Sequence, residues 1–582
     1  MPDFTSIFDA ALPTRTTRAA STVAALALLA ACPGGDGGDD TSTGATEPAT
    51  STTPSGTDGP PTSGPTTTST GDVPDTTESP STPATDTETT DAPTTDAPTT
   101  DAPTTDPTDT DSTTGDPVAA VTVHLVPNSG VGGPQRVNFA VPLAPGQLAD
   151  AAAVVVRHGD AEQPAALRGL ARHPDGTWRS VQVQLDLEVS GETDLELEIG
   201  SAPSLPAPAL VPVADTLVDD ATGPNVWALL PPEWLTASRL AGPLGTAAAA
   251  EGTPGAAWAA LCDYDAWDLE AFLGSMASAD VWLYDRGTIF YRGHARRGDL
   301  GSLRTAYLET TIYRDGLTGG GPDTEIGVPG KAGDAKYYYS QNLALHYLMT
   351  GDDRFRESAE DVAEAFDALW DPEYDGGDGF WTERHAGFGL LAYTWAMIVS
   401  DDQSEQFRGL ADAAVAAYID VQETYPLGYA DPDARCFAHS DVAADEDFGY
   451  FGCSPWLSAI LADGLDQYAS ESPGAQADAA RTSIIKLGRI VARDGLDPGG
   501  KPFYWMAVGN TDGAVDDYDE HWGESAYVVA LAWYHDGASD PELAMTAAAI
   551  TDGFAQHAEA PHMRSFNWQC RSAVATPWLL AQ

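Results

Sequence analysis

One stretch of sequence decides the fold of this chain: Tyr337-Tyr-Tyr-Ser-Gln-Asn-Leu-Ala-Leu-His-Tyr-Leu-Met-Thr350, then Gly351-Asp352-Asp353, then residues 354–370. The first segment is rich in apolar and aromatic residues. In the last segment, apolar residues recur at the three- and four-residue spacing of one helical face: Phe355, Ala359, Val362, Ala363, Phe366, Leu369 and Trp370. A short glycine-acid turn separates the two segments. The stretch therefore predicts two helices that pair as a hairpin.

The same arrangement recurs loosely on both sides of this hairpin, at residues 291–314, 388–425, 456–493 and 522–557. In the last copy, Asp540-Pro541-Glu542 has the pattern of an N-cap followed by proline at the first helical position. Five or six antiparallel hairpins at spacings of roughly 50 to 65 residues predict an all-α (α/α) toroid over residues 259–582. The alternative is an open solenoid of the tetratricopeptide kind, but its repeat of about 34 residues is shorter than these spacings.

The segment before the helices has the two-residue period of β-strands. Residues 181–189 alternate apolar residues with polar ones that include Gln182 and Gln184, which predicts a strand with one buried and one solvent-facing side. Further strands are predicted at 121–125, 136–141, 153–157 and 195–199, with a turn at Pro174-Asp175-Gly176. Residues 117–200 are thus predicted to form a small all-β barrel or sandwich, and the Pro/Ala-rich residues 201–258 an irregular connector.

The N-terminus has the pattern of an export signal. Arg15 and Arg18 precede a short apolar stretch that ends Leu29-Ala30-Ala31-Cys32. The stretch resembles a bacterial lipoprotein signal, which implies cleavage after residue 31 and lipidation of Cys32. The alternative is an ordinary signal peptide that happens to be followed by a cysteine. Residues 33–116 contain no Lys, Arg or aromatic residue, and the repeat Asp-Ala-Pro-Thr-Thr occurs three times from Asp91. Residues 32–116 are therefore predicted to be a lipidated, disordered stalk.

Composition excludes some partners. The chain has 28 Lys+Arg against 87 Asp+Glu, a formal net charge of −59, so nucleic acid is a poor partner. No apolar run after the N-terminus is long enough to span a bilayer, so contact with a membrane is predicted through the lipid anchor only. The predicted location is the cell envelope, either periplasmic or at the cell surface. Four cysteines remain after Cys32, and an exported chain favours disulfides among them; Cys436–Cys453 is the first choice because these two are closest in sequence.

Unusual polar and aromatic residues gather where the predicted hairpins begin. The segments are 337–342, 380–385, 445–450 and 516–524. Tryptophan beside carboxylate, histidine and arginine suits a sugar site, because flat rings stack on pyranose faces and ionisable groups reach the glycosidic oxygen or ring protons. The alternative interpretation is that the acids offset helix dipoles and the tryptophans belong to the core.

Two mechanisms fit these segments. A lyase acting on a uronate needs a base, for which Tyr338, His385 and His521 are candidates, and groups that neutralise the carboxylate, here Arg384 and Asn342. A glycoside hydrolase needs two carboxylates, here Glu383 with Glu520 or Glu524. The predicted catalytic residues are His385, Glu383, Arg384, Tyr338, Glu520 and His521. The predicted substrate-binding residues are Trp381, Trp522, Asn342, Arg286 and Glu524.

Arg286 enters this set because residues 281–314 hold six arginines against three acids in a strongly acidic chain. The alternative is that these arginines are counter-charges for the acidic bulk of the protein. The chain has no His-Glu-x-x-His, P-loop or Gly-x-Ser-x-Gly motif, so no metal or other cofactor is predicted. Calcium at residues 510–516 is the alternative, although Gly513 is misplaced for an EF-hand loop.

Short motifs resemble those of the PcRGLX/YetA-like exo-rhamnogalacturonan lyase group. Residues 131–146 and 171–178 are similar to the RIFT-related N-terminal barrel of that group, and residues 282–286, 297–299, 342–347 and 350–352 are similar to its α/α toroid. His173 stands where that group usually has tryptophan, and residues 201–258 are too few for the β-sandwich that the group carries between barrel and toroid. The resemblance implies a lyase that acts on a pectic polysaccharide.

The sequence therefore predicts a lipid-anchored, exported carbohydrate-active protein that cleaves a uronate-containing polysaccharide or oligosaccharide by β-elimination. A glycoside hydrolase with paired glutamates is one alternative. A non-catalytic glycan-binding or envelope-scaffolding lipoprotein is the other.

Overall fold

The computed structural model describes residues 119–253, 255–372, 383–426, 428–438, 453–506, 521–557 and 562–582. All of them belong to one compact unit. The predicted signal segment, Cys32, the stalk and residues 510–516 lie outside the described residues, as do Trp381 and Glu520. Within the described ranges, no helix is both long enough and apolar enough to cross a membrane.

The first part of the unit consists of antiparallel sheets between residues 119 and 229. The strands are β1 (Ala119–Pro127), β2 (Gly133–Pro142), β3 (Val154–His158), β4 (Ala161–Gln163), β5 (Ala165–Arg172), β6 (Trp178–Val189), β7 (Thr193–Ile199), β8 (Leu217–Asp219), β9 (Gly223–Pro224) and β10 (Val226–Leu229). One sheet has the order β10-β1-β7-β3-β4, a second has the order β2-β6-β5, and β8 pairs with β9. The predicted strands are present, and Gly176 has a left-handed φ of 84° in the predicted turn before β6.

The β region extends past the predicted boundary at residue 200. β10 pairs with β1, with Trp227 opposite Val126, so part of the segment predicted to be irregular completes the larger sheet. Three short helices follow: α1 (Pro232–Ser238), α2 (Ala247–Ala250) and α3 (Gly255–Leu261). β10 is only four residues long, too short for alternation to reveal it.

The polar side of β6 does not face water along its first half, contrary to the sequence-based expectation. Gln182 is 2% and Gln184 0% exposed. Nε2 of Gln182 donates to Oδ1 of Asn138 at 2.7 Å and to the backbone oxygen of Thr350 at 3.3 Å. The period-two pattern identified the polar side correctly, but the end of a helix covers it.

The rest of the unit is helical. Its helices are α4 (Leu269–Ser275), α5 (Arg286–Arg297), α6 (Leu300–Asp315), α7 (Gln341–Thr350), α8 (Asp353–Leu369), α9 (Glu383–Val399), α10 (Ser404–Thr424), α11 (Ser458–Glu471), α12 (Ala475–Asp494), α13 (Trp522–His535), α14 (Pro541–His557), α15 (Met563–Ser572) and α16 (Thr576–Leu580). The five predicted hairpins correspond to α5–α6, α7–α8, α9–α10, α11–α12 and α13–α14, and the members of each pair contact each other.

The turns of the first two hairpins follow from their sequences. Gly298 and Gly351 end α5 and α7 with left-handed φ values of 67° and 75°, which cost glycine little. The next residues, Asp299 and Asp352, cap α6 and α8, because their side chains accept hydrogen bonds from backbone N–H groups of the first helical turn. A Gly-Asp pair therefore both ends one helix and begins its partner.

The helices alternate in burial. Six helices, which we call the buried helices, are covered along nearly their whole length: α5, α7, α9, α11, α13 and α15. Among the hairpin partners, α8, α10, α12 and α14 bury mainly one face, whereas α6 is buried over most of its length. Each buried helix contacts the next one along the chain, and α15 contacts α5. Between α9 and α11 the backbones approach closely, because a Cβ added to Gly387 would lie 2.5 Å from the carbonyl carbon of Ile460.

The sheets contact the C-terminal ends of two buried helices, α7 and α11. Asn138 donates to the backbone oxygen of Thr350 at 2.9 Å, and Ser180 donates to that of Leu348 at 2.7 Å. Arg179 forms an ion pair with Glu471, the last residue of α11. The N-terminal ends of α7 and α11 therefore face away from the sheets.

Two disulfides join the four cysteines of the helical region. Cys436–Cys453 is the pair that the sequence favoured, and the structure confirms it. The second disulfide, Cys262–Cys570, connects the segment before α4 with α15. It ties the last buried helix to the start of the helical region.

Candidate active site

The N-terminal ends of the buried helices bring together aromatic and basic side chains from distant parts of the sequence. Tyr284 lies just before α5, Arg384 in the first turn of α9, Trp456 before α11, His521 before α13, and Trp568 within α15. We call these five residues the aromatic–arginine cluster. Four hairpins contribute residues at their starts and α15 contributes Trp568, so side chains far apart in sequence become neighbours.

Trp456 lies at the centre of this cluster. The imidazole of His521 stacks on it, with ring centroids 3.8 Å apart and an angle of 7° between the planes. The indole of Trp568 lies 4.8 Å from His521 and 5.9 Å from Trp456. The phenol ring of Tyr284 lies 6.2 Å from Trp456 and 6.0 Å from Trp568. The result is a continuous set of flat rings.

Arg384 brings a positive charge into contact with these rings. Its Nη1 donates to the hydroxyl of Tyr284 at 3.3 Å, and its guanidinium lies 5.8 Å from the ring centroid of Trp456. Among the described residues, its buried Nε has no hydrogen-bond partner and its guanidinium has no carboxylate in ion-pair contact. A second guanidinium, that of Arg564, lies 4.9 Å from the ring centroid of Trp568.

Tyr284 reaches Arg384 through an unusual backbone conformation. Its φ is 73° and that of Asp285 is 59°, a left-handed region that bulky residues rarely adopt and that is often associated with functional sites. The backbone N–H of Tyr284 donates to the hydroxyl of Tyr339 at 3.1 Å, and Asp285 caps α5. Burial raises the pKa of Tyr284, with Arg384 opposing the shift, so the phenol keeps its proton at neutral pH.

His521 is a buried imidazole beside a buried carboxylate. Its Nδ1 lies 3.4 Å from Oε1 of Glu524, and the two residues are 4% and 1% exposed. Burial and the positive charges of Arg564 and Arg384 lower the pKa of His521 well below its ordinary value. At neutral pH the ring is therefore neutral, with one nitrogen able to accept a proton.

His385, Asp334 and Lys336 form a second polar group next to Arg384. Nε2 of His385 lies 3.7 Å and Nζ of Lys336 3.3 Å from carboxylate oxygens of Asp334. The imidazole of His385 also stacks on Trp370, with ring centroids 5.3 Å apart. Burial lowers the pKa of His385 to about 4, and burial with the charge of Arg384 lowers the pKa of Lys336 to about 8.

Arg286 lies in a different environment from the one predicted. Its guanidinium, in a residue only 4% exposed, donates to both carboxylate oxygens of Glu309 at 2.8 Å and to Asn567 at 2.9 Å. Other arginines of residues 281–314 also have acid partners within the fold: Arg292 pairs with Asp463, and Arg314 with Asp220. These contacts favour the interpretation of that positive segment as counter-charges.

Four other predicted residues make contacts away from the aromatic–arginine cluster. The hydroxyl of Tyr338 donates to the backbone oxygens of Ala332 and Thr324, and Asn342 packs against Gly287. A Cβ on Gly553 would lie 2.2 Å from the ring of Trp522, so this indole packs on α14. Oε1 of Glu383 accepts from the backbone N–H of Ser454 at 2.9 Å and is fully buried.

Sequence reasoning selected Arg384, His521 and Glu524 but missed Tyr284, Trp456, Arg564 and Trp568. Arg564 and Trp568 lie on α15, a helix that was not predicted because its sequence has no hairpin partner of the repeated kind. Tyr284 lies within the motif 282–286 but received no role. Position alone could have identified Tyr284 and Trp456, because each comes within two residues of the start of a buried helix.

No protein-family model and no curated protein matches the chain. Solved structures that align with part of it include a polysaccharide lyase, with 10% identity and a TM-score of 0.40 over 55% of this chain and 96% of that chain. A glycosyl hydrolase of family 88 from Bacteroides vulgatus aligns with 8% identity and a TM-score of 0.38, over 54% of this chain and 96% of that chain. Alignments at these TM-scores do not establish a common fold or activity. The resemblance to exo-rhamnogalacturonan lyases stays a prediction.

Proposed function

We propose that this protein is an exported carbohydrate-active enzyme, with its helices arranged as an α/α toroid, that cleaves an acidic glycan by β-elimination at the aromatic–arginine cluster. The observation that carries the proposal is Arg384. In a chain of formal net charge −59, its guanidinium has no acid partner among the described residues and is held by Tyr284 beside Trp456. A guanidinium in this state can bind a substrate carboxylate with two hydrogen bonds.

The surroundings of Arg384 suit a uronate residue of a polysaccharide. The rings of Trp456, Trp568 and Tyr284 form a flat apolar group, but they are only 1–2% exposed, so a sugar ring would stack on them only once covering side chains move aside. Arg384 and Arg564 supply positive charge, and the N-termini of the buried helices add partial positive charge at the same end. A carboxylate-bearing sugar matches both properties.

In β-elimination, a base removes the proton from the carbon next to the substrate carboxylate. The electron pair of that C–H bond forms a carbon–carbon double bond, the bond from the β-carbon to the glycosidic oxygen breaks, and the leaving oxygen takes a proton. We assign the base to the neutral imidazole of His521 and the proton donor to the protonated phenol of Tyr284. Arg384 stabilises the negative charge that develops on the carboxylate.

Substrate binding itself would make His521 a better base. The guanidinium charges of Arg384 and Arg564 are among the causes of its lowered pKa. A carboxylate bound to Arg384 offsets that charge and raises the pKa of His521 towards its ordinary value. Glu524, 3.4 Å from Nδ1, holds the ring and supports the positive charge that it gains on accepting a proton.

The experiment is to incubate the full chain with a panel of uronate-containing polysaccharides, pectic ones included. The appearance of the ultraviolet absorbance of an unsaturated sugar, dependent on Arg384, supports the proposal. Release of reducing ends without that absorbance would favour the hydrolase alternative. Saturable binding without turnover would favour a glycan-binding protein. The hydrogen bond from Ser454 to Glu383 does not favour this residue as half of a hydrolytic carboxylate pair.

We also propose export and anchoring through Cys32. The two disulfides support an oxidising compartment, because such bonds are rare in reducing ones. Metabolic labelling with a palmitate analogue tests the anchor: wild type should incorporate the label, and Cys32→Ser should not. Equal labelling of both proteins would contradict it.

A further inference from the structure

We propose that Glu360, Asp401 and Asp402 form a calcium site that joins α8 to the turn between α9 and α10. One carboxylate oxygen from each residue lies within 4.8 Å of the others. Oxygens around a single Ca²⁺ lie at about 2.3–2.6 Å from the ion, and hence within about 5 Å of one another. The three side chains are therefore already close enough to share one ion.

The fold explains why these residues meet. α8 packs against α9, and Glu360 follows the buried Ala359 on α8. Asp401 and Asp402 belong to the Ser400-Asp401-Asp402 turn that follows the end of α9. The turn thus presents two exposed carboxylates to the one that α8 partly buries.

A second observation points to a ligand. Glu360 is only 9% exposed, and its Oε1 is buried without a hydrogen-bond partner in the described part of the chain. A buried carboxylate oxygen with no donor is costly, and a bound ion is one of the few arrangements that satisfies it. Oε1 of Gln403, next in sequence, is also buried and without a partner.

Charge and donor type select the ion. Arg356 pairs with Asp401, so one positive charge faces three carboxylates. A divalent cation balances the remaining charge. All three ligands are carboxylate oxygens, which favour Ca²⁺ or Mg²⁺ over Zn²⁺. Mg²⁺ demands octahedral geometry, whereas Ca²⁺ accepts irregular and partly exposed ligands such as these, so Ca²⁺ fits better. Because two of the three acids are exposed, we expect weak binding, with a dissociation constant of about 10⁻⁴ to 10⁻³ M.

The site lies at the end of α9 that is remote from Arg384, so calcium should affect stability rather than chemistry. We would measure thermal unfolding of the full chain in EDTA and during titration with CaCl₂, and separately with MgCl₂. The variants are Glu360→Gln, Asp402→Asn and the control Glu405→Gln, an exposed acid in the first turn of α10 outside the cluster. At calcium about tenfold above the dissociation constant, wild type and control should gain about 2 °C.

Glu360→Gln and Asp402→Asn should lose this gain and, in EDTA, should unfold at or above the wild-type temperature, because each removes repulsion between carboxylates. That second result separates loss of a ligand from damage to the fold. A saturable gain of equal size in Glu360→Gln would place any calcium elsewhere and overturn the proposal. Absence of any gain in wild type would overturn it as well. Neither result bears on the proposed lyase activity.

Discussion

The imidazole of His521 lies parallel to the indole of Trp456, with ring centroids 3.8 Å apart, although the two residues precede different buried helices. The indole of Trp568 lies 4.8 Å from the same imidazole. With neighbouring indoles against the ring and Glu524 at its Nδ1, Nε2 is the nitrogen left for a substrate proton. The packing therefore fixes both the orientation and the protonation state of the proposed base.

Arg384→Ala should abolish most activity on a uronate polysaccharide. The guanidinium is the proposed partner of the carboxylate and of the charge that develops on it, so we expect kcat/KM to fall by roughly 10²–10³-fold. Arg384→Lys keeps the positive charge but cannot form the bidentate hydrogen bonds of a guanidinium, so it should retain only part of the wild-type activity. Initial rates of product absorbance at several substrate concentrations provide the measurement.

Arg408→Ala is the matched control for Arg384→Ala. Arg408 lies on α10 and contacts Ser472 rather than the cluster, so its loss should leave kcat/KM nearly unchanged. Similar losses in both variants would assign the effect to stability. Full activity of Arg384→Ala in a folded protein would remove the observation on which the proposed function rests.

His521→Gln should lower kcat by roughly 10²–10⁴-fold with a smaller change in KM, because the proposed base is lost while the aromatic surface stays. In wild type, the acid limb of the kcat/KM profile should lie below the ordinary histidine pKa, since the pKa of His521 is lowered in the free enzyme. Glu524→Gln removes a charge that favours the imidazolium, so it should move that limb to still lower pH and reduce the maximal rate. An unchanged profile in Glu524→Gln would exclude the proposed coupling.

The sequence predicted the helical hairpins well because each one is a local pattern. A helical face, a Gly-Asp turn or the helix start at Asp540-Pro541 depends only on residues that are neighbours in the chain. α13 and α14 accordingly begin and end where the pattern indicated. β10 was missed because its four residues gain their strand conformation from pairing with β1, which is distant in sequence. The strand propensity of a short segment does not show whether the tertiary fold will place another strand beside it.

The site could be predicted only in part for the same reason. Arg384, His521 and Glu524 stood out because polar residues at a helix start need an explanation. Arg286 stood out equally, but Glu309, Asn567 and the backbone of Trp267 satisfy its donors within the fold. Arg286 has an acid partner and Arg384 has none within the described ranges, and this difference is a property of contacts, which residue spacing does not contain.

Acid should destabilise the protein between pH 6.5 and about 4 through His385. The folded-state pKa of His385 is about 4, against an ordinary value of 6.5, because burial disfavours its charged form. Between these two pH values His385 is protonated in the unfolded chain but not in the folded one. The free energy of unfolding therefore falls as pH falls, by on the order of 3 kcal/mol over the whole interval. Urea unfolding at pH 7 and pH 4.5 measures the loss, and His385→Gln should reduce it by the share of this histidine, leaving the share of the other buried histidines whose pKa is lowered, such as His521 and His346.

His158→Gln is the control for that comparison, since His158 is exposed and its Nε2 lies 3.0 Å from Oγ1 of Thr193. It should leave the dependence on pH as in wild type. The lowered pKa of Asp334 acts in the same direction but at lower pH, below its ordinary value. A pH dependence in His385→Gln as steep as that of wild type would show that His385 is not the group responsible.

The two disulfides should contribute unequally to stability. Cys262–Cys570 closes a loop with a sequence separation of 308, and Cys436–Cys453 one of 17. In the chain-entropy account, the longer loop is worth about 2 to 3 kcal/mol more. Cys262→Ser/Cys570→Ser should therefore unfold at lower urea than Cys436→Ser/Cys453→Ser. The reverse order would mean that native contacts around residues 436–453, rather than chain entropy, dominate.

Asp463→Asn should be among the most destabilising single changes in the helical region. The carboxylate of Asp463 on α11 accepts from Nη2 of Arg292 at 3.0 and 3.1 Å and also from Arg571, so it links α11 with α5 and α15. Arg292 is 3% and Arg571 0% exposed. Removing the shared negative charge leaves two buried guanidiniums without their acid, which we expect to cost about 3–5 kcal/mol in the free energy of unfolding.

The control is Asp478→Asn. Oδ1 of Asp478 lies 2.9 Å from Nη1 of Arg481, but this ion pair is on the surface, with the side chain of Asp478 77% exposed and that of Arg481 39% exposed. Exposed ion pairs contribute little, so its midpoint in urea should stay near that of wild type. Because the network joins the first, fourth and last buried helices, its loss should also loosen the end where Tyr284 and Trp568 meet. Asp463→Asn should therefore lower activity at temperatures where the protein is still folded, whereas equal stability of the two variants would show that packing alone holds these helices together.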